Sequence, residues 1–140
     1  MNPSPVFPAT VLVAPPLRIF LLEDSSLLRE LLSEAFADIS GVQLCGFAET
    51  EDDAFAQLCS TPYQILILDI ELKIGNGINL LRRLCALSDH LAETRIIFSN
   101  NVSAAYRRAA ASMGVDYFFD KTAEFTQLQE LLEALGTKTH

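Results

Sequence analysis

The sequence is poor in the residues that staple, anchor or target a chain. Three cysteines occur, Cys45, Cys59 and Cys85, an odd number with no CxxC spacing. They give no disulfide framework and read as buried, reduced thiols of a cytosolic protein. Basic residues are scarce: 10 Lys and Arg stand against 18 Asp and Glu, for a formal net charge of −8. That balance argues against a nucleic-acid-binding surface and leaves a basic protein partner open. No run approaches the ~20 apolar residues of a membrane span. No secretory leader is legible, because the first basic residue is Arg18 and Pro15-Pro16 ends the short apolar run from Val11. Proline nearly vanishes after residue 17, since five of the six lie in the uncharged stretch 1–17. That stretch reads as a flexible arm. Internal repeats and low-complexity tracts are absent.

The remaining residues are regular. A chain of 140 residues is one domain with a substantial core, placed at 18–136 with a short tail at 137–140. Short β-branched and aromatic runs alternate with helical patterns. Strands are expected at 18–23, 42–48, 63–69, 95–99 and 116–119, the third being the most continuously apolar. The first helix, capped by Ser25 or Ser26, runs to about Asp38 with Leu27, Leu28, Leu31, Leu32, Ala35 and Phe36 on its stripe. Gly41 stops it. Thr50 caps the second, with Asp52 and Asp53 in its first turn and Ala54, Phe55 and Leu58 inward, until Thr61-Pro62. Helices at 78–87, 102–113 and 123–135 follow, with Gly114 and Gly136 as stops. Alternating units of this kind predict parallel strands with right-handed crossovers. Five give an α/β, flavodoxin-like, doubly wound sheet in the order 2-1-3-4-5, with helices on both faces.

Four apolar runs each stop on a polar residue able to handle phosphate. Glu23-Asp24 ends the first strand, Asp69 the third and Ser99 the fourth; Lys121 follows the fifth through Asp120. In a parallel sheet these ends open onto one edge, where ligands bind. Crowded carboxylates raise one another's pKa unless a cation intervenes. Hard oxygen ligands of this kind suit Mg2+. A carboxylate can attack phosphorus to form an acyl phosphate, and an ammonium and a metal offset charge on the transferring group. Taken singly, each residue has an ordinary structural reading: a helix-capping acidic pair, a loop acid, a buried hydroxyl, a surface lysine. Their order along four strand ends is the specific signal.

From Arg18 to Leu135 the chain resembles a response-regulator receiver domain of two-component signalling. The motifs are Leu22-Glu23-Asp24-Ser25, Leu66-Ile67-Leu68-Asp69-Ile70, Gly77, Phe98-Ser99-Asn100, and the run from Gly114 to Lys121. The resemblance implies that Asp69 is the phosphoacceptor. It implies Mg2+ on Asp24, on Asp69 and on the main-chain carbonyl of Glu71, with Glu23 acting through water. Lys121 and Ser99 would sense the phosphoryl group, and Phe118 would be the switch aromatic, which as a plain residue is a strand aromatic at the core edge. Glu71 and Asn101 would tune the lifetime of the aspartyl phosphate. Two departures stand out: Lys73 and Thr122 occupy positions where the family usually has proline. The loop from Asp69 to Gly77 and the turn after Lys121 are therefore expected to differ in shape.

The function implied is a cytoplasmic signalling switch rather than an enzyme, although it assists its own phosphotransfer and dephosphorylation. Its donor would be a histidine kinase or a histidine phosphotransfer protein. Output would pass through contacts with a downstream protein, without nucleic acid or membrane. The chain is either a stand-alone receiver of the chemotaxis type or a fragment of a longer regulator. Tyr106, Arg107 and Arg108 are either a contact site or a solvated helix face with one packed tyrosine. A phosphorylation-independent binding module is the alternative, favoured by loss of both prolines and opposed by retention of every chemical residue. A flavodoxin would need a Ser/Thr/Gly-rich loop after the first strand, where this chain is acidic. An aspartate-nucleophile phosphatase would carry its acids two apart on the first strand, and here they are adjacent.

Overall fold

The computed structural model describes residues 14–87, 93–101 and 103–138. In chain order the elements are β1 (Leu17–Leu22), α1 (Ser26–Ala37), β2 (Val42–Ala48), α2 (Glu51–Ser60), β3 (Ile65–Leu68), α3 (Gly77–Cys85), β4 (Thr94–Ser99), α4 (Ala104–Ser112), β5 (Tyr117–Asp120) and α5 (Phe125–Lys138). The strands form one parallel sheet in the order β2-β1-β3-β4-β5, as the alternating pattern predicts.

Strand periodicity sorts the core into two halves, because successive side chains point to opposite faces. Phe20, Leu22, Leu66, Leu68 and Ile97 meet Ala54 and Leu58 of α2, Leu80, Leu81 and Leu84 of α3, and Ala110 of α4. Ile19, Leu21, Ile65, Ile67, Ile96 and Phe98 meet Leu32 and Phe36 of α1 and Leu128 and Leu132 of α5. Both faces of β1, β3 and β4 are therefore covered, which explains why these strands read as unbroken apolar runs. Caps fix the helix starts. Ser25 accepts from the Leu28 N–H, Thr50 from Asp53, Asn76 from Ile78 and Asn79, and Ser103 from Tyr106.

Several expectations need correction. Leu27 and Leu31 are 67% and 53% exposed: six apolar positions are wider than the stripe α1 can bury, and these two lie one turn apart on its flank. None of the cysteines is buried, Cys45 being half-buried and Cys59 and Cys85 exposed. Cys59 and Cys85 each follow a buried leucine by one residue, so the helix turns them about 100° away from the core, and Cys45 lies on the edge strand β2. Gly136 does not stop α5, which continues to Lys138 and absorbs the start of the expected tail. A Cβ on Gly136 would lie 2.2 Å from the Ser40 carbonyl oxygen, so this glycine permits a close helix contact instead. The third helix begins at Gly77 and ends at Cys85. Leu17 already pairs with Val42 in β1; the rest of the proposed arm as far as residue 13, together with Val102 and the last two residues of the tail, lies outside the described residues.

Candidate functional site

The sheet ladder runs one residue beyond three of the strands and so fixes the pocket. The Glu23 N–H donates to the Ala48 carbonyl at 3.0 Å, the Asp69 N–H to Leu22 at 3.0 Å, and the Lys121 N–H to Ser99 at 3.1 Å. Side chains distant in sequence are thereby brought together on one edge. One carboxylate oxygen from each of Glu23, Asp24 and Asp69 falls within a mutual 4.8 Å. Glu23 and Asp69 are buried, at 2% and 5% exposure. The Lys121 Nζ bridges them, 2.6 Å from Glu23 Oε1 and 2.7 Å from Asp69 Oδ2.

Three acids face one ammonium, so the pocket carries an excess of negative charge. Burial pushes the Glu23 carboxyl above its usual range, and the nearby Asp69 adds to this; hydrogen bonds from Lys121 and the Ser25 N–H offset it only in part. Burial alone would lower the Lys121 ammonium, yet its bonds to Asp69 and Glu23 outweigh that and hold it above its ordinary value. A compact all-oxygen donor set with uncompensated charge is what a hard divalent cation requires.

The flanking residues expected to matter meet as well. Asn101 Nδ2 donates to Glu71 Oε2 at 3.1 Å. Ser99 is buried at 1% exposure, and its hydroxyl oxygen accepts the Asn101 N–H at 3.2 Å. Phe118 is half-buried against the α3–α4 side of the core, with the Arg107 guanidinium 4.7 Å above its ring. Tyr106 packs against that same core, while Arg107 and Arg108 are exposed.

Four contributors were not anticipated from the sequence. Arg29 donates to the Glu23 carbonyl at 2.7 Å and pairs with Glu49 at 2.7 Å. Glu51 receives the Asn76 N–H at 3.1 Å, Asn79 Nδ2 at 2.6 Å and Arg83 at 2.8 Å, pinning the β3–α3 loop. The Lys73 N–H donates to Asp24 Oδ2 at 2.6 Å. The Thr122 N–H and hydroxyl donate to Asp120 Oδ1 at 2.9 and 2.8 Å, which holds the Asp120 carboxyl below its usual range. For Lys73 and Thr122 a signal was available: a residue in place of proline restores an N–H donor.

Across residues 19–133 the chain matches the model of the response regulator receiver domain family. It belongs to that family. Receiver domains are signalling modules of two-component systems. They accept phosphate from histidine kinases or phosphotransfer proteins and bind Mg2+ or Mn2+ at an acidic pocket. A protein-glutamate methylesterase/protein-glutamine glutaminase of Saccharophagus degradans is 30% identical over 113 residues, 81% of this chain and 32% of that protein. The Fimbriae Z protein of Salmonella typhimurium is 24% identical, over 86% of this chain and 56% of that protein. This receiver chain thus spans about a third of the length of the methylesterase relatives. Among solved structures, the receiver domain of Thermotoga maritima CheB aligns with a TM-score of 0.74 at 21% identity, covering 88% of this chain and 95% of that one. The Mn2+-bound response regulator Rcp1 aligns with a TM-score of 0.72 at 18% identity, covering 86% and 91%. At these identities the structural likeness establishes the fold alone. Among the described residues, no helix is long and apolar enough to cross a membrane.

Proposed function

We propose that Asp69 is the phosphoacceptor of a phosphorylation-controlled switch. The observation that carries this reading is the Lys121 ammonium held between the buried Asp69 and Glu23, with Asp24 alongside. A carboxylate oxygen of Asp69 attacks the phosphorus of a phosphohistidine on a histidine kinase or phosphotransfer protein. The new O–P bond forms as the P–N bond breaks, and the electron pair leaves with the imidazole. Asp24, Asp69 and the Glu71 carbonyl would hold Mg2+, with Glu23 acting through water; bound there, the ion offsets charge on the phosphoryl group.

Lys121 exchanges its bond to Asp69 for one to the phosphoryl oxygens. The Ser99 hydroxyl turns towards the same group, and Phe118 turns into the space that Ser99 leaves. The surface formed by α4, β5 and α5, including Tyr106, Arg107 and Arg108, then changes its affinity for a downstream protein. Glu71 and Asn101, joined by their side-chain hydrogen bond, stand beside the path of the hydrolytic water and set how long the acyl phosphate lasts. The receiver unit runs from the first strand to α5. Incubation with acetyl phosphate and Mg2+ is expected to add the mass of one phosphoryl group to the wild type and nothing to Asp69→Asn, read by intact mass spectrometry. Equal phosphorylation of both would overturn the assignment.

A further inference from the structure

Asp24 is held by a single contact. Its Oδ2 accepts the Lys73 main-chain N–H at 2.6 Å, and no other hydrogen bond to this side chain occurs among the described residues. Its two neighbours are held differently. Glu23 is fixed through both oxygens, by Lys121 and by the Ser25 N–H, and Asp69 is fixed by Lys121. The only acid in the cluster without an ammonium partner therefore depends on one peptide group of the β3–α3 loop.

That loop is anchored elsewhere. The Glu51 N–H donates to the Ile74 carbonyl at 3.4 Å, and Glu51 Oε1 accepts the Asn76 N–H at 3.1 Å. Gly75 adopts φ +100°, with space for a Cβ blocked by Glu51. Arg83 and Asn79 of α3 hold the other Glu51 oxygen. The result is a continuous tether from α2 and α3, through Glu51 and the loop, to the carboxylate of Asp24.

We propose that the Lys73 N–H is a positioning group: it orients Asp24 to receive the divalent cation and ties metal occupancy to the β3–α3 loop. This rests on the reading of Asp24 as a metal ligand. A charged acceptor makes such a bond short and strong, and groups that orient a ligand from behind commonly change metal affinity ten- to a hundredfold when removed. Because the contact is a main-chain one, the residue type at 73 matters only through whether it has an N–H. Alanine retains the donor and proline abolishes it.

The test compares wild type, Lys73→Ala and Lys73→Pro by calorimetric Mg2+ titration, together with amide hydrogen exchange by NMR. Lys73→Pro is expected to bind Mg2+ about tenfold more weakly, whereas Lys73→Ala stays within about twofold of wild type. In metal-free wild type the Lys73 amide should exchange slowly, and Asp24→Ala should release it to solvent-like exchange. Equal Mg2+ affinity for the proline and alanine variants, or a freely exchanging Lys73 amide in wild type, would overturn the inference. If Lys73→Pro does not fold, the exchange comparison of wild type with Asp24→Ala decides alone. A protected amide in a wild type that binds no Mg2+ would instead overturn the metal-ligand reading.

Discussion

At the scale of single residues, Lys121 supplies part of the positive charge that three acids demand. The arrangement has a definite pH signature in metal-free protein. The Glu23 carboxyl lies above its unfolded value of 4.5, so the folded state takes its proton more readily than the unfolded chain. Its contribution to stability is full below pH 4.5 and is lost as the pH rises through the folded value. Lys121 has the same sign at the alkaline end: its contribution is present below 10.5 and lost as the pH passes its raised value. Glu23→Gln removes the acidic limb. In EDTA, the melting temperature of this variant relative to wild type is expected to rise as the pH is raised from 4.5 through the folded value of Glu23. A difference that stays constant with pH would contradict the direction given for Glu23.

At the scale of elements, packing overrides local propensity in ways that can be measured. Alanine is about 1 kcal/mol better than glycine in a helix interior, and Gly136 lies inside α5. Yet a Cβ there would meet the Ser40 carbonyl at 2.2 Å and Gly41 at 3.2 Å, both main chain. Gly136→Ala is therefore expected to destabilise by about 1–3 kcal/mol, read from urea unfolding; a gain in stability would show that the α5 contact yields easily. The same position shows where the sequence was legible. Strand runs, caps and helical stripes gave element type and order, because burial on two sheet faces leaves a plain periodic trace. The ladder extensions at Glu23, Asp69 and Lys121 follow from that order, so the pocket was legible too. Gly136 was misread because close approach between distant glycines leaves no local trace. Leu27 and Leu31 were misread because apolar composition does not set the width of the buried stripe. The Lys73–Asp24 bond was half legible: a residue in place of proline announces a main-chain donor, but its acceptor 49 residues away leaves no local trace.

At the scale of the whole molecule, the acidic cluster exists only when the sheet is assembled, since Glu23-Asp24 and Asp69 come from different strands. A divalent cation should consequently bind the folded state far better than the unfolded one. Mg2+ at ten times its dissociation constant is expected to raise unfolding free energy by about 1.4 kcal/mol, with full reversal by chelation. Asp24→Ala should largely abolish the increment, and an equal shift in that variant would place the ion elsewhere. The close packing of Gly136 on the Ser40–Gly41 turn has a further consequence of an architectural kind. This turn feeds the start of β2, at the opposite rim of the sheet from the acids. Strands of this length set the two rims about 20 Å apart. A fluorescent reporter or affinity handle joined beyond Lys138 would thus leave from the far rim, clear of the edge where Glu23, Asp24 and Asp69 gather.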